Sequence, residues 1–262
     1  MITLLNRARR ALYRAGLLHS KRLPVPVISV GNITMGGAGK TPAVIAIARA
    51  RTDRGLRVGV LTRVYGRSGE GGVVDDNDTE RFGDEPVLIR KAAPAATVIV
   101  GANRYDNAIR YPCDVFLLDD GFQHLQIARD LDIVIDTPSR FHRESRAALR
   151  YADIVVPRNL RLSIPGSLQN QRVFAFAGLA NNEQFFDALR QHGLHVAGTR
   201  GFPDHHRYSA ADIAALKREA ADVLVTTEKD AVKIGDPAII SIPAEFIFPD
   251  GVMERIIGVA TR

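Results

Sequence analysis

From Pro24 onward, short continuous apolar runs rich in β-branched residues recur along the chain: Val25–Val30, Arg57–Leu61, Val98–Val100, Val115–Leu118, Ile133–Ile135 and Ile154–Val156. Runs of this length without polar alternation mark strands buried on both faces, as in a parallel sheet. Segments of helical length and composition separate them, for example Thr41–Arg54 with Val44, Ile45, Ile47 and Ala48. Strand and helix in alternation predict an α/β fold with a doubly wound, mostly parallel sheet.

The two ends depart from this pattern. In residues 1–22, Leu4, Leu5, Ala8, Ala11, Leu12 and Ala15 recur at helical spacing among Arg7, Arg9, Arg10, Arg14, Lys21 and Arg22. A basic amphipathic helix is expected, lying either on an anionic lipid surface or packed on its own domain with solvated arginines. A turn-rich stretch, Pro157–Arg172, contains Pro165-Gly166 and places a boundary near residue 160. Beyond it come a strand (Val173–Phe176), a helix (Glu183–Gln191), a strand near Leu194–Ala197, a helix opened by the Ser209–Asp212 capping box and a strand at Val223–Val225. The expected domains are therefore the helix 1–22, a larger lobe 23–160 and a second, smaller α/β lobe 161–262.

Composition narrows the class. The 262 residues are 46% apolar and 24% charged, enough for a full core. No segment reaches the roughly 20 apolar residues that span a bilayer, so an integral membrane protein is not expected. Cys113 is the single cysteine, which excludes an intramolecular disulfide and a multi-cysteine zinc site. With no signal-peptide pattern at the N-terminus, the expected location is cytoplasmic. A net charge of +6 suits an anionic partner. No basic stripe carries interleaved aromatics, so nucleic acid is not expected, and the N-terminal helix is the densest basic cluster.

The most specific stretch runs Val27-Ile-Ser-Val-Gly31-Asn-Ile-Thr34-Met35-Gly36-Gly37-Ala38-Gly39-Lys40-Thr41-Pro42. A strand, a glycine-rich loop and a helix start form the context of a phosphate-binding P-loop. Backbone N–H groups from Thr34 through Thr41 would cradle phosphates, Lys40 would reach the β and γ oxygens, and the Thr41 hydroxyl would hold Mg2+. Pro42 is compatible with a first helical turn. The strict pattern has glycine where Thr34 stands; a turn that merely joins strand to helix is the competing explanation. A P-loop NTPase also needs an acidic strand end, and Val115-Phe-Leu-Leu-Asp119-Asp120-Gly121 supplies two metal candidates. An Asp-Gly turn is the structural alternative, and Asp136 is a weaker acidic candidate.

With these residues identified, the chain resembles the tetraacyldisaccharide 4'-kinase family of lipid A biosynthesis. The resemblance rests on five motifs in order: Val30–Pro42, Gly83-Asp-Glu-Pro86, Asp119-Asp-Gly-Phe-Gln-His124, Phe202-Pro-Asp-His205 and Thr227-Glu-Lys-Asp-Ala-Val-Lys233. The family also carries Ser or Thr at the position of Thr34. The resemblance implies a two-lobed P-loop kinase that uses ATP and Mg2+ to phosphorylate an acylated disaccharide lipid at the cytoplasmic face of the inner membrane. It implies Asp84 and His205 as a catalytic pair across one cleft, with Lys40, and Glu144 as a further metal ligand. A monomer is the expected state. Without the resemblance, Asp84 reads as a solvated loop carboxylate, and His205 and His206 as a surface pair.

The chain departs from the family pattern in four places. Arg63-Val64-Tyr65-Gly66 has Val64 where the family has glycine, and the stretch ending in Gly-Pro-Leu-Arg-Glu is shortened to Phe141-His-Arg-Glu144, with Arg143 as the corresponding arginine. The N-terminus is shorter, and the chain as a whole is compact. Two other readings remain: a partition-type nucleotide switch and a catalytically inactive paralogue. The first lacks the lysine before the paired glycines, where Met35 stands, and Thr227-Glu-Lys-Asp230 has the wrong spacing for a guanine-reading motif.

Overall fold

The computed structural model describes residues 2–63, 71–75, 78–139, 141–219 and 222–259. Two compact units divide them: residues 1–159 with 246–262, and residues 160–245.

The first unit opens with helix α1 (Ile2–Arg14) and strand β1 (Val27–Asn32), then α2 (Lys40–Thr52), β2 (Val58–Thr62), β3 (Gly72–Val73), α3 (Thr79–Phe82), α4 (Asp84–Ala92) and β4 (Thr97–Val100). It continues through α5 (Arg104–Arg110), β5 (Val115–Asp119), β6 (Leu131–Asp136) and β7 (Ile154–Pro157). Among the described residues the strands form one seven-stranded sheet in the order β3-β4-β2-β5-β1-β6-β7, parallel throughout except for the β3 edge. Every residue of β1, β2 and β5 is buried, which is why these runs are largely apolar instead of alternating. The antiparallel β3 edge strand has too little apolar sequence to be legible beforehand.

The strand order decides where chemistry can sit. β5 returns to lie between β2 and β1, and its register with β1 pairs Val27 with Phe116 and Val30 with Asp119. The carboxyl end of β5 therefore finishes beside the carboxyl end of β1, where the glycine-rich loop begins. That is the crevice in which open parallel sheets bind ligands. Backbone contact is close there: Gly121 N–H donates to the Val30 carbonyl at 2.9 Å. A Cβ on Gly31 would lie 2.5 Å from the Phe122 Cβ and 2.7 Å from its backbone nitrogen.

The second unit holds β8 (Leu160–Leu162), β9 (Arg172–Ala177), α6 (Asn182–Gln191), β10 (His195–Gly201), α7 (Ala210–Glu219), β11 (Val223–Thr227), α8 (Glu228–Ile234), β12 (Ile239–Ile242) and all but the last residue of β13 (Ala244–Phe246). A four-stranded parallel sheet, β10-β9-β11-β12, packs against α6 through Val173, Ala175, Phe185, Phe186 and Leu189. The capping box before α7 closes in both directions. Ser209 N–H donates to Asp212 Oδ2 at 2.9 Å, and Asp212 N–H to Ser209 Oγ at 3.1 Å. Asp thus replaces the usual Glu without loss of the reciprocal bond.

One expectation needs correction. The expected smaller lobe runs to residue 262, whereas residues 246–262 belong with the first unit. Helix α9 (Val252–Ile257) packs on α2. Arg51, only 2% exposed, donates from Nη2 to the Ile256 carbonyl at 2.7 Å and the Val259 carbonyl at 3.0 Å. A buried guanidinium must find acceptors, and the end of α9 supplies them.

Because Gly31 meets the Phe122 backbone, Gly31→Ala forces β1 and the loop after β5 apart. Chemical denaturation should show a loss of about 1–3 kcal/mol, the range of core overpacking.

Candidate active site

The glycine-rich loop connects β1 to α2. Gly36 (φ 98°) and Gly39 (φ 82°) occupy the left-handed region, which explains glycine at those two positions. Lys40 is the first residue of α2, and Thr41 follows in the same turn. Within the loop, Met35 N–H donates to the Phe141 carbonyl at 3.0 Å and Ala38 N–H to the Gly36 carbonyl at 2.9 Å. Asn32, the buried last residue of β1, donates from Nδ2 to the Thr34 carbonyl and hydroxyl at 2.9 and 3.0 Å. Its own carbonyl accepts from Gln123. The loop is thus tied at its root by a buried amide that sequence reasoning did not single out.

Lys40 Nζ lies 3.3 Å from Asn32 Oδ1 and 3.4 Å from Asp120 Oδ1. The adjacent aspartates have different surroundings. Asp120 (φ 51°) accepts from Arg143 Nη1 at 3.0 and 2.7 Å. Asp119 is 6% exposed; its Oδ2 accepts from Thr62 Oγ1 at 3.1 Å, while Oδ1 has no hydrogen-bond partner among the described residues. Burial, and then repulsion from Asp120, raise the Asp119 carboxyl above the usual range, although Lys40 and Arg104 oppose that rise. Asp136, the weaker candidate, is held by Arg146 at 3.1 and 2.7 Å.

Glu144 does not stand open to a cation as its expected metal role requires. It is 4% exposed, and both carboxylate oxygens accept from Arg10, Oε1 from Nη2 at 3.0 Å and Oε2 from Nε at 3.2 Å. The guanidinium already satisfies its charge.

Asp84 begins α4 immediately after Gly83, whose φ of 92° and ψ of 161° are accessible essentially to glycine alone. It is half-buried in the first turn, where the helix dipole favours a carboxylate. In the second unit the two neighbouring histidines separate. His206 stacks on Phe202 at 4.6 Å between ring centres and meets Tyr208 edge-on at 4.9 Å, with Nε2 3.4 Å from Asp212. It is a packing residue. His205 is exposed, in the left-handed region (φ 59°), with Nε2 3.3 Å from Lys229 Nζ. Lys229 also lies 3.3 Å from Asp204, whose Oδ1 accepts from the His205 N–H at 3.0 Å. A non-glycine residue held at positive φ is unusual and marks His205 as a functional candidate.

Comparison with known proteins identifies the family. The profile of the LpxK family, tetraacyldisaccharide-1-P 4'-kinase, matches residues 1–159 and 142–260. A tetraacyldisaccharide 4'-kinase of Pelobacter propionicus is 38% identical over 291 positions, covering 89% of this chain and 81% of the relative. One from Geobacter metallireducens is 37% identical, covering 87% and 84%. The crystal structure of LpxK from Aquifex aeolicus, described as an "apo" form in complex with ATP, has a TM-score of 0.82 and 30% identity, covering 98% of this chain and 96% of that one. The chain belongs to the tetraacyldisaccharide-1-P 4'-kinase family.

For this member of the kinase family, Val64 and its neighbours Tyr65 and Gly66 lie outside the described residues. The shortened segment ending in Phe141-His-Arg-Glu144 still reaches the glycine-rich loop. Thr34 bridges His142, and Arg143 and Glu144 N–H groups donate to the Ile33 carbonyl at 2.7 and 3.2 Å. His124, which closes the Asp119–His124 motif, is a half-buried imidazole to which the sequence assigns no role. Burial, followed by the charges of Arg104, Arg9, Arg129 and Arg63, pushes its pKa down to about 4. A neutral imidazole among arginines leaves their positive field available to an anionic ligand.

The His124 shift has a definite sign. Its folded value of about 4 lies below the usual 6.5. Between these values the unfolded chain takes up a proton that the fold refuses, so stability is full above pH 6.5 and falls toward pH 4. Denaturation at stepped pH should show this loss, and His124→Gln should reduce its steepness between pH 6.5 and 4.

Proposed function

We propose that this chain is an ATP-dependent tetraacyldisaccharide 4'-kinase, transferring the γ-phosphoryl group to the 4'-hydroxyl of a tetraacylated glucosamine disaccharide 1-phosphate in lipid A biosynthesis. The observation that carries the reading is the meeting of Lys40 with the Asp119-Asp120 strand end. A P-loop lysine sits 3.4 Å from one carboxylate, and the neighbouring carboxylate keeps a buried oxygen without a hydrogen-bond donor among the described residues.

The donor set fits Mg2+. Thr41 and Asp119 offer hard oxygens, and a cation would answer the Asp119 Oδ1 atom and offset the repulsion from Asp120, whose own oxygens are engaged by Arg143. When bound, Mg2+ neutralises charge on the phosphates. Glu144, engaged by Arg10, is outside this set. The loop from Thr34 to Gly39 holds phosphate oxygens by backbone amides, and Lys40 compensates the charge that builds as the β–γ bridging bond breaks. Asp84 is the proposed acceptor of the sugar hydroxyl proton, with His205 as the second member of the catalytic pair that the family resemblance implies. Lys229 beside His205 Nε2 favours the tautomer with the proton on Nδ1, since an ammonium can only donate.

The same reading covers membrane contact. No described helix is long and apolar enough to cross a membrane. On α1, however, Leu4 and Leu5 are 72% and 69% exposed, and Arg7 on the same helix is exposed as well. This pairing of apolar and cationic groups suits peripheral binding to anionic lipid at the cytoplasmic face of the inner membrane, with the protein acting as a monomer.

The deciding assay is ATP-dependent phosphorylation of the disaccharide-1-phosphate lipid in detergent. Asp84→Ala and His205→Ala should each reduce kcat by at least about 100-fold, and the double variant should be little worse than the more damaging single one. Multiplying losses would assign the two residues independent roles. ATP hydrolysis indifferent to the lipid would favour a nucleotide switch. Separately, vesicle cosedimentation should require anionic lipid and weaken with salt; equal binding to neutral vesicles removes the electrostatic component.

A further inference from the structure

Helix α1 is attached to the protein in an unusual manner. Its leucines at positions 4, 5 and 12 face outward, whereas the residues that hold it to the body are polar. Thr3 Oγ1 donates to the His142 carbonyl at 3.4 Å, Asn6 Nδ2 to the Arg143 carbonyl at 3.1 Å, and Arg10 to the Glu144 carboxylate at 3.0 and 3.2 Å. Positions 3, 6 and 10 share one helical face, and they engage three consecutive residues, 142, 143 and 144.

Those three residues adjoin the nucleotide loop. The segment 141–144 binds Ile33 and Met35 through three backbone hydrogen bonds, and Arg143 reaches Asp120, which faces Lys40. Arg10 is the buried centre of the assembly, 7% exposed. Its Nη2 also donates to the Phe122 carbonyl at 3.2 Å, and its guanidinium lies 4.5 Å from the Phe122 ring centre and 5.1 Å from that of Tyr151. Phe122 directly follows the Asp119-Asp120-Gly121 strand end. One guanidinium therefore ties α1 both to segment 141–144, which borders the glycine-rich loop, and to the turn that follows β5.

We propose that Arg10 is a positioning residue for nucleotide binding: through Glu144 and Phe122 it holds segment 141–144 against Ile33–Met35, so that α1 is part of the framework of the ATP site. The proposal rests on the nucleotide reading of the P-loop. It gives Glu144 a structural duty in place of metal ligation, and it makes the leucine-bearing, membrane-facing helix continuous with the phosphate loop. The bidentate fork explains why the residue is arginine: a planar donor pair fixes both distance and angle, and a lysine ammonium fixes neither.

The test uses the full chain. Arg10→Met alone leaves Glu144 buried without its cation and can prevent folding, so Arg10→Met with Glu144→Leu, which removes both charges and retains apolar packing, serves as the second variant. Arg10→Lys is the conservative control. ATP affinity by calorimetry, KM for ATP and kcat are measured with hydrogen exchange at the Met35 and Arg143 amides. In the folded double variant we expect at least a 10-fold weaker Kd for ATP, a raised KM with kcat changed less than threefold, and faster exchange at those two amides while β9 and β11 amides keep their protection. Arg10→Lys should fall between wild type and the double variant. A folded double variant with ATP affinity within twofold of wild type and unchanged exchange at Met35 and Arg143 overturns the proposal. Wild-type protein that binds no ATP overturns the nucleotide reading itself, and this inference with it.

Discussion

The parallel pairing of β1 with β5 is the constraint on which the rest of the nucleotide region depends. Both strands are buried on both faces, so a slip in register would carry polar strand ends into the core. With Val30 opposite Asp119, the glycine-rich loop and the paired aspartates leave the sheet at one level. Gly31 permits the approach because its missing side chain leaves room for the Phe122 backbone. Lys40, Asp120 and Arg143 then meet as a result of where two strands end.

The local electrostatics follow from that convergence. Asp119 and Asp120 are adjacent along the chain, yet burial penalises the first while Arg143 and Lys40 compensate the second. A carboxylate deprived of water and repelled by its neighbour is unfavourable in isolation. Such a group is retained where a cation or a developing charge offsets the cost, as in phosphoryl transfer. His124 is the complementary case, an imidazole held neutral by burial and surrounding arginines. Strain has a similar distribution, with Gly83 and His205 held in rarely used backbone regions, the one beside the proposed base and the other itself a proposed catalytic residue.

The N-terminal helix shows how a pattern can have more than one use. Its spacing of leucines and arginines is that of a lipid-surface helix, and the exposed Leu4 and Leu5 agree with it. Arg10 belongs to the same basic series by sequence but is removed from solvent, spanning 134 positions to reach Glu144. One face of the helix is therefore packed on the domain, and the proposed lipid contact falls to the other.

The strand runs, the glycine-rich loop, the acidic strand end and the Ser209–Asp212 cap were legible in the sequence because each is a local device. Burial on two faces requires a continuous apolar run, a tight turn at positive φ requires Gly36 and Gly39, and a capping bond spans only three residues. The five motifs in order made the family legible as well. What remained hidden depends on residues distant along the chain. Nothing in the string distinguishes buried Arg10 from solvated Arg7, or packed His206 from exposed His205. Nor does it show that residues 246–262 return to α2 or that Glu144 is committed to a guanidinium. A charged side chain carries no record of its own desolvation; its role is decided only when tertiary structure brings a partner close enough to repay that cost.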